Sequence, residues 1–235
     1  MHTDVKKIIK WLEDYNYVLD KNVLHRTPYD NKHDVCFMFF HGNAEDACSV
    51  NVYSSMNCYK TAAFEYPGYG VRQDEVISQK KLEKSVGELV EWLDINVPAQ
   101  KRIVVCGRSL GTFVAIRLAQ ALQKRCAGLV LISPMISAVA TQVAPPLHKF
   151  FYYSDMINNE QFIQSDYDNR ECKILIMHGS DDHIVPVTHA PYLADLFETK
   201  KSQSVVVRVV EKAGHNDILS VYTLSAIEDF VSTCV

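Results

Sequence analysis

The sequence predicts an α/β protein with a doubly wound, mostly parallel sheet, helices on both faces and a minimal cap. Three observations favour this class. Short apolar runs alternate with amphipathic stretches along nearly the whole chain. The runs are apolar at successive positions, which is typical of strands that are covered on both faces. The chain has 235 residues, 48% hydrophobic and 22% charged, enough to close one core of ordinary size.

The elements follow in order along the chain. Residues 5–19 are predicted to form a helix, and residues 18–27 an edge strand. Buried strands are predicted at residues 35–40, 61–66, 102–106, 128–132, 173–177 and 204–210. Helices are predicted at residues 79–96, 110–123, 188–199 and 218–233. Because helices separate most of the later strands, those strands are expected to pair in parallel.

Residues 133–171 interrupt this alternation, because they contain no clean strand. The segment carries Pro134, Pro145 and Pro146, followed by four aromatic residues at 150–153. It is too long for a plain loop in a compact domain. We therefore interpret residues 133–171 as a short cap or helical excursion on a single domain spanning residues 1–235. The aromatic cluster has two interpretations: it lines an acyl pocket, or it belongs to the core.

Composition argues against several classes of partner and compartment. The formal net charge is −4, so no global field attracts nucleic acid or an anionic membrane. The seven cysteines are odd in number and include no Cys-x-x-Cys pair, which favours free thiols in a reducing compartment. The chain opens on a charged segment and has no long apolar run, so neither a signal peptide nor a transmembrane segment is predicted. We expect a soluble, cytoplasmic protein.

The strongest local signal joins a predicted strand to a predicted helix. Residues 107–111 are Gly-Arg-Ser-Leu-Gly, a Gly-x-Ser-x-Gly pattern in the strand–turn–helix context that its chemistry requires. The turn is so sharp that small residues are needed at Gly107 and Gly111. It would present the hydroxyl of Ser109 at the carboxyl end of the strand, beside the positive end of the helix dipole. Ser109 is therefore the candidate nucleophile.

A serine nucleophile needs a base that takes its proton and a carboxylate that orients the base. Both residue types follow later strands. Asp182 lies in the polar loop after the strand at residues 173–177, and His215 follows the last predicted strand. The order serine, aspartate, histidine is that of the α/β-hydrolase fold. The sequence therefore predicts Ser109, Asp182 and His215 as a catalytic triad.

Other residues compete for the acid and base roles. The rivals are Asp155, Asp181, His183 and His189. We favour Asp182 over its neighbour because only one of two adjacent loop residues would point inward. We favour His215 because it stands in a Gly-His turn after the final strand. The alternative for both residues is that they cap the helices that follow them.

A tetrahedral intermediate needs backbone N–H donors at its oxyanion. We predict one donor from Leu110, directly after the nucleophile. The second is predicted from Asn43, in the turn that follows the strand at residues 35–40. Gly42 lets this turn approach the substrate closely. His41 is interpreted as a structural histidine that holds the turn.

Arg108 lies inside the elbow and has two interpretations. In the first, it is a cation that lies at the surface or anchors a loop. In the second, it recognises the substrate. The sequence contains no glycine-rich phosphate loop, no His-Glu-x-x-His and no carboxylate-rich metal loop. No cofactor and no metal site are therefore expected.

Taken together, these motifs resemble the small α/β-hydrolase-domain serine hydrolases of eukaryotes, most closely the branch that depalmitoylates S-acylated proteins. The matching segments are His41-Gly-Asn-Ala44, Tyr66-Pro-Gly-Tyr-Gly70, Gly107-Arg-Ser-Leu-Gly111, Ser133-Pro-Met, His178-Gly-Ser-Asp-Asp182 and Gly214-His-Asn-Asp217. The resemblance implies the α/β-hydrolase fold and an acyl-protein thioesterase activity. Membrane-associated members of that branch carry a cysteine-rich N-terminal segment, whereas residues 1–20 contain no cysteine.

The expected function is a serine hydrolase that cleaves an ester or thioester bond through an acyl-enzyme. Its substrate is expected to be a small molecule or an acylated molecule, with an S-acylated protein as one candidate, and no nucleic-acid partner is expected. The alternatives are a small-molecule carboxylesterase and a monoacylglycerol-type lipase. A serine peptidase and a non-catalytic binding module rank below them.

Overall fold

The computed structural model describes residues 5–141, 157–200 and 204–235. Within these ranges eight strands form one sheet. The strands are β1 (Val18–Asp20), β2 (Val23–Arg26), β3 (His33–Phe40), β4 (Cys58–Phe64), β5 (Arg102–Arg108), β6 (Cys126–Ile132), β7 (Lys173–Gly179) and β8 (Ser204–Val210). Their order is β1-β2-β4-β3-β5-β6-β7-β8. The β1–β2 and β2–β4 pairs are antiparallel and the others are parallel, so the predicted mostly parallel sheet is confirmed.

Helices cover both faces of this sheet. The α-helices are α1 (Val5–Tyr15), α2 (Gln79–Asn96), α3 (Gly111–Leu122), α4 (Asn159–Ser165), α5 (His189–Thr199) and α6 (Val221–Ser232). A further segment, Ala47–Met56, is a 3-10 helix. Side chains of α2, α3, α4 and α5 pack on one face, and those of α1, α6 and the 3-10 helix pack on the other. The predicted doubly wound architecture is therefore confirmed.

Strand β3 shows why the continuous apolar runs predict strands that are covered on both sides. Phe37 and Phe39 belong to the core on the α6 side, whereas Met38 and Phe40 belong to the core on the α3 side. All four side chains are fully buried, because successive residues of a strand point to opposite faces. Burying each such side chain contributes about 1.5–3 kcal/mol, which fixes this central strand in place beneath the turn that follows it.

The N-terminal part differs from the prediction. Instead of one edge strand over residues 18–27, β1 and β2 form an antiparallel hairpin at the edge of the sheet. The chain reverses at Lys21, whose φ of +55° lies in the left-handed region, and at Asn22 beside it. The predicted helix over residues 5–19 ends earlier, at Tyr15. The two polar residues Lys21 and Asn22 are enough to reverse the chain. So short a break in the apolar pattern does not reveal in the sequence that there are two strands.

Two further elements depart from expectation. The strand predicted at residues 61–66 ends at Phe64, because Glu65 and Tyr66 turn away to contact His41. The run at residues 204–210 forms an edge strand, with burial that alternates along it. It is apolar in sequence although one side faces solvent. The 3-10 helix after β3 is not predicted from the sequence.

The predicted cap at residues 133–171 is described in part, since residues 142–156 lie outside the described ranges. The segment returns to the body of the protein through Asn158, Asn159 and α4. Arg117 of α3 donates to the carbonyl of Asn158 at 3.1 Å and to Oδ1 of Asn159 at 3.3 Å. Its role as a cap, and the assignment of residues 1–235 to one domain, stay predictions. In the ranges that the structure covers, no helix is long and apolar enough to cross a membrane.

Candidate active site

Ser109 sits on a strained turn between β5 and α3. Its φ is +50°, a left-handed conformation that is costly for a residue with a side chain. The turn is held because the Ser109 N–H donates to the Ile132 carbonyl at 2.9 Å. Tight packing makes glycine necessary on both sides: a Cβ on Gly111 would lie 2.2 Å from the Phe40 carbonyl oxygen, and one on Gly107 would lie 2.7 Å from the Ala115 Cβ. The elbow thus places the serine hydroxyl at the carboxyl end of β5.

The structure brings the three residues predicted for the triad together. The Nε2 of His215 lies 3.0 Å from the Oγ of Ser109. The Nδ1 of the same ring lies 2.7 Å from the Oδ2 of Asp182. One imidazole therefore bridges the hydroxyl and the carboxylate, the arrangement in which a histidine can take a serine proton while a carboxylate fixes its tautomer.

The carboxylate of Asp182 is buried and well supplied with donors. Its Oδ1 accepts the backbone N–H groups of Ile184 at 2.9 Å and Val185 at 2.8 Å. Burial alone would raise the pKa of Asp182, but hydrogen bonds from Val185, His215 and Ile184 together hold that pKa below its usual value. The group is therefore ionised at neutral pH and can orient and stabilise an imidazolium.

A second histidine, His178, stands behind this carboxylate at the end of β7. Its Nε2 lies 2.9 Å from the Val185 carbonyl oxygen and 3.3 Å from the Oδ2 of Asp182. The ring is fully buried, and that burial lowers the pKa of His178. It is kept neutral, donates to a carbonyl and packs the acid against the loop.

The loop that carries His215 is held by contacts of its own. The N–H of Gly214 donates to the Oδ1 of Asp217 at 2.6 Å. The N–H of Asp181 donates to the Ala213 carbonyl at 3.0 Å, which joins this loop to the loop that carries the acid. A Cβ on Gly179 would lie 2.1 Å from the Ala213 carbonyl oxygen, so the two loops are in backbone contact.

The two amides predicted for the oxyanion lie in the elbow and in the turn after β3. The turn comes close to the elbow, since a Cβ on Gly42 would lie 3.7 Å from the Ser109 Cβ. Leu110 follows the serine directly and is the N-cap of α3, and Asn43 lies in the turn after β3. Within the described ranges, neither backbone N–H donates to a backbone acceptor. By contrast, the neighbouring N–H of Gly42 is engaged by Glu45 at 3.0 Å. Both amides are thus available to an oxygen placed between the turn and the elbow.

The turn after β3 rests on a buried pair of polar side chains. The Nε2 of His41 lies 2.9 Å from the Oε1 of Glu65, and its Nδ1 lies 2.8 Å from the Gly42 carbonyl oxygen. The other oxygen of Glu65 accepts the Ala47 N–H at 3.2 Å. His41 is fully buried, so it braces the turn and has no access to a substrate.

A depression of about 520 Å³ opens beside this turn. It is lined by Asn43, Ala44, Glu45, Asp46, Ser49, Gly68, Tyr69 and Gly70. The hydroxyl of Tyr69 donates to the Oδ1 of Asn43, which holds the side chain of Asn43 at the rim of the depression. The depression is a candidate subsite for one part of a substrate whose carbonyl lies at Ser109.

The structure describes three of the four rival residues, and none of the three takes part in the contacts that join Ser109, His215 and Asp182. Asp181 and His183 are exposed, and the carboxylate of Asp181 accepts the hydroxyl of Ser180. His189 is buried at the start of α5, where its Nδ1 lies 3.2 Å from the Ile136 nitrogen. Asp155 and the aromatic cluster at residues 150–153 lie outside the described residues. No group of three or more His, Cys, Asp or Glu in the described part of the chain is placed to hold a metal ion.

Sequence reasoning assigned no individual role to three residues that shape the site. These are Glu45, Glu65 and His178. Each is an ionisable residue close to a motif glycine in the sequence: Glu45 follows the His-Gly-Asn-Ala turn, Glu65 precedes Tyr-Pro-Gly, and His178 opens His-Gly-Ser-Asp. That position was the available signal. The partners of Glu45 and Glu65 lie on other loops, and the contacts of His178 depend on how the loop that follows it folds back.

Comparisons with known proteins place the chain among hydrolases. The model of the Hydrolase_4 family, described as serine aminopeptidase, S33, matches residues 31–154. A mimivirus putative alpha/beta hydrolase, L404, is 26% identical over 87% of this chain and 74% of its own length. The Caenorhabditis elegans alpha/beta hydrolase domain-containing protein aho-3 is 29% identical over 81% of this chain. The zebrafish lysophosphatidylserine lipase ABHD12 is 26% identical over 74% of this chain.

The lengths of these relatives differ, and the chain spans 55% of the nematode protein and 50% of the zebrafish one. Among solved structures, the Pyrococcus furiosus esterase Pf2001 superposes with a TM-score of 0.67 at 18% identity, covering 94% of this chain and 95% of that one. A Paleococcus ferrophilus monoacylglycerol lipase gives 0.64 at 15% identity, covering 92% and 100%. Such identities show the shared α/β-hydrolase fold. The family model spans more than half of the chain, and the protein belongs to the Hydrolase_4 family of α/β hydrolases.

Proposed function

We propose that this hydrolase is a serine hydrolase that cleaves an ester or thioester bond through an acyl-enzyme. The observation that carries the proposal is the single imidazole of His215 between the Ser109 hydroxyl and the Asp182 carboxylate. The placement of the serine at the elbow and the unengaged amides beside it support the same chemistry. Esterases and lipases among the similar proteins agree with an acyl substrate.

In the proposed mechanism, the Oγ of Ser109 attacks the substrate carbonyl carbon while the Nε2 of His215 takes the hydroxyl proton. The backbone N–H groups of Leu110 and Asn43 stabilise the oxyanion of the tetrahedral intermediate. Collapse of this intermediate breaks the bond to the leaving group, which leaves with the proton from His215. Water, activated by the same imidazole, then hydrolyses the acyl-enzyme. Throughout, Asp182 keeps the ring in the tautomer that this relay requires.

The first hypothesis for the substrate is an S-acylated protein, which would make the enzyme an acyl-protein thioesterase. It rests on the resemblance of the motifs to that branch of serine hydrolases. A cytoplasmic setting suits it: all seven cysteines are free thiols, as expected where disulfides are kept reduced. The second hypothesis is a lipase for a single-chain lipid ester. It is favoured by the zebrafish relative, whose name states a lysophosphatidylserine lipase.

Labelling with a fluorophosphonate tests the serine mechanism. We expect one covalent label per chain on the wild-type protein and none on Ser109→Ala. His215→Ala should slow labelling by several orders of magnitude, the usual scale for loss of a triad base. The exposed Ser232 provides a control, and Ser232→Ala should label like wild type. Labelling that persists in Ser109→Ala would overturn the proposal.

A substrate panel then separates the two hypotheses. The panel contains p-nitrophenyl esters of increasing chain length, a palmitoyl-thioester peptide, and a lysophospholipid. Faster turnover of the thioester peptide than of the lysophospholipid would support the acyl-protein hypothesis. The reverse order would support the lipase.

A further inference from the structure

Arg108 precedes the nucleophile, yet its guanidinium reaches to two other loops of the site. The side chain is 6% exposed. Its Nη1 forms an ion pair with Glu45. Its Nη2 donates to the carbonyl oxygen of His215 at 2.7 Å and to the Oδ1 of Asn216 at 3.3 Å. One planar group thus joins the elbow to the loop that carries the base.

Glu45 extends this connection to the oxyanion turn. Its Oε2 accepts the backbone N–H of Gly42 at 3.0 Å, and Gly42 directly precedes Asn43. The chain of contacts therefore runs from the His215 carbonyl through the Arg108 guanidinium and the Glu45 carboxylate to the backbone of the turn. These loops follow β8, β5 and β3, so the contacts join segments that are far apart in sequence.

Arginine is particularly suited to contacting both loops at once. A guanidinium offers several donors in a fixed plane, so it can bind a carboxylate and a carbonyl oxygen at the same time. The Arg108 side chain is buried and that of Glu45 is 22% exposed. Removing one member would leave the charge of the other without its partner and largely removed from solvent. We propose that Arg108, acting through Glu45, is a positioning residue that sets the oxyanion amide and the base at their working separation.

This inference rests on the proposed serine-hydrolase function and predicts a defined kinetic signature. The depression beside Asn43 is lined by Glu45 but not by Arg108. Removing the Arg108 guanidinium should therefore leave the binding of a probe unchanged. A displacement of about 1 Å between reacting groups can cost up to about 100-fold in rate. In saturating fluorophosphonate kinetics we therefore expect Arg108→Met to lower kinact by about 10- to 100-fold, with KI unchanged.

Three related variants separate positioning from a general effect. Glu45→Ala should lower kinact to a similar extent, because it breaks the same connection. The double variant should be no slower than Arg108→Met alone, since residues that act as one unit are not additive. Arg108→Lys keeps one cationic donor and should recover part of the rate. Effects of the two single changes that multiply in the double variant would overturn the inference.

Arg125 supplies a matched control far from the site. It too binds one carboxylate and two carbonyl oxygens, on Asp94, Leu93 and Val97. Arg125→Met should lower the melting temperature and leave kinact unchanged. If wild type is labelled and Arg108→Met reacts at the wild-type kinact, the inference alone fails. If wild type is not labelled at all, the proposed function fails with it.

Discussion

At the scale of single residues, the elbow is defined as much by backbone contact as by the serine it carries. Gly111 begins α3 against the end of β3, and a Cβ there would lie 2.2 Å from the Phe40 carbonyl oxygen and 2.8 Å from that of His41. Both obstacles are backbone atoms of a buried strand and its turn. They cannot move aside as a flexible side chain could.

We therefore expect Gly111→Ala to lower the free energy of unfolding by about 3 kcal/mol or more, the upper part of the range for overpacked sites. Urea unfolding measures the change. Gly87, in α2, has no atom within 4 Å of where a Cβ would lie. Gly87→Ala should stabilise the protein by about 0.5–1 kcal/mol, because alanine favours a helix more than glycine does. Equal effects of the two changes would contradict the steric argument.

Residue by residue, the sequence carries some parts of the site and conceals others. Ser109, Asp182 and His215 can be singled out, because each follows a strand and their order along the chain has chemical meaning. The pairing of Glu45 with Arg108 has no such signal. It depends on how the ends of β3 and β5 lie side by side, a consequence of the register Phe40↔Gly107.

At the scale of elements, the last helix is linked to the site by the loop that precedes it. α6 begins after Ser220, whose Oγ accepts the Thr223 N–H at 3.3 Å. In return the Thr223 hydroxyl accepts the Ser220 N–H at 2.7 Å, which completes a capping box. These contacts satisfy donors that a helix start would otherwise leave without partners.

Ser220→Ala should therefore lower the free energy of unfolding by about 1 kcal/mol, the usual cost of losing an N-cap. The rate of fluorophosphonate labelling should stay the same, since the contacts of His215 with Arg108 and Asp182 do not pass through Ser220. Thermal unfolding and labelling of the same preparation check both statements. A large loss of labelling without loss of stability would show that the cap acts on the base directly.

Elements also show where sequence patterns lose information. The helix at Gln79–Asn96 has the predicted bounds, because its apolar stripe and the Ser78 cap are local features. β8 is as apolar as the central strands, yet Val206 and Val209 are 40% and 46% exposed. Its position at the sheet edge depends on the order of all the strands. That order is a property of the whole chain, and within β8 the exposed Arg208 is the one charged residue that indicates it.

At the scale of the whole molecule, the buried ionisable groups near the site make folding depend on pH. Burial lowers the pKa of His178, and the carbonyl of Val185 and the charge of Asp182 only partly oppose this. The unfolded chain binds a proton on this histidine below about pH 6.5, whereas the folded chain resists it. Away from the site, on β2, burial and the charge of Lys60 likewise lower the pKa of His25. The contribution of these histidines to stability is therefore fully present above pH 6.5. It is lost as the pH falls from about 6.5 toward the lowered folded pKa values, and it levels off below them.

Asp182 acts in a lower window. Its folded pKa is depressed, so the stability it contributes is present above its unfolded value near 4 and is lost as the pH falls through the folded value. The two groups touch, yet their windows are separate. Changes in stability between pH 7 and pH 5 therefore report on the histidines. Changes below pH 4 report on the carboxyl groups whose pKa is lowered, which are Asp182 and the surface groups Glu75, Asp168 and Glu228.

We expect the free energy of unfolding of the wild-type protein to decrease from pH 7 to pH 5, with a slope of at most about 1.4 kcal/mol per pH unit from His178. His178→Gln should flatten that slope, because glutamine keeps a donor for the Val185 carbonyl and does not titrate. Urea unfolding at pH 5, 6 and 7 measures this slope.

The slope with pH is compared between variants, and not the absolute free energy of unfolding, because a general loss of packing in a variant lowers the free energy at every pH. His183→Gln, at an exposed position, should keep the wild-type slope. Identical slopes for wild type and His178→Gln would mean that the proton taken up on unfolding binds to another group. The burial of the His178 ring beside Asp182 would then not be a cause of the pH dependence of stability.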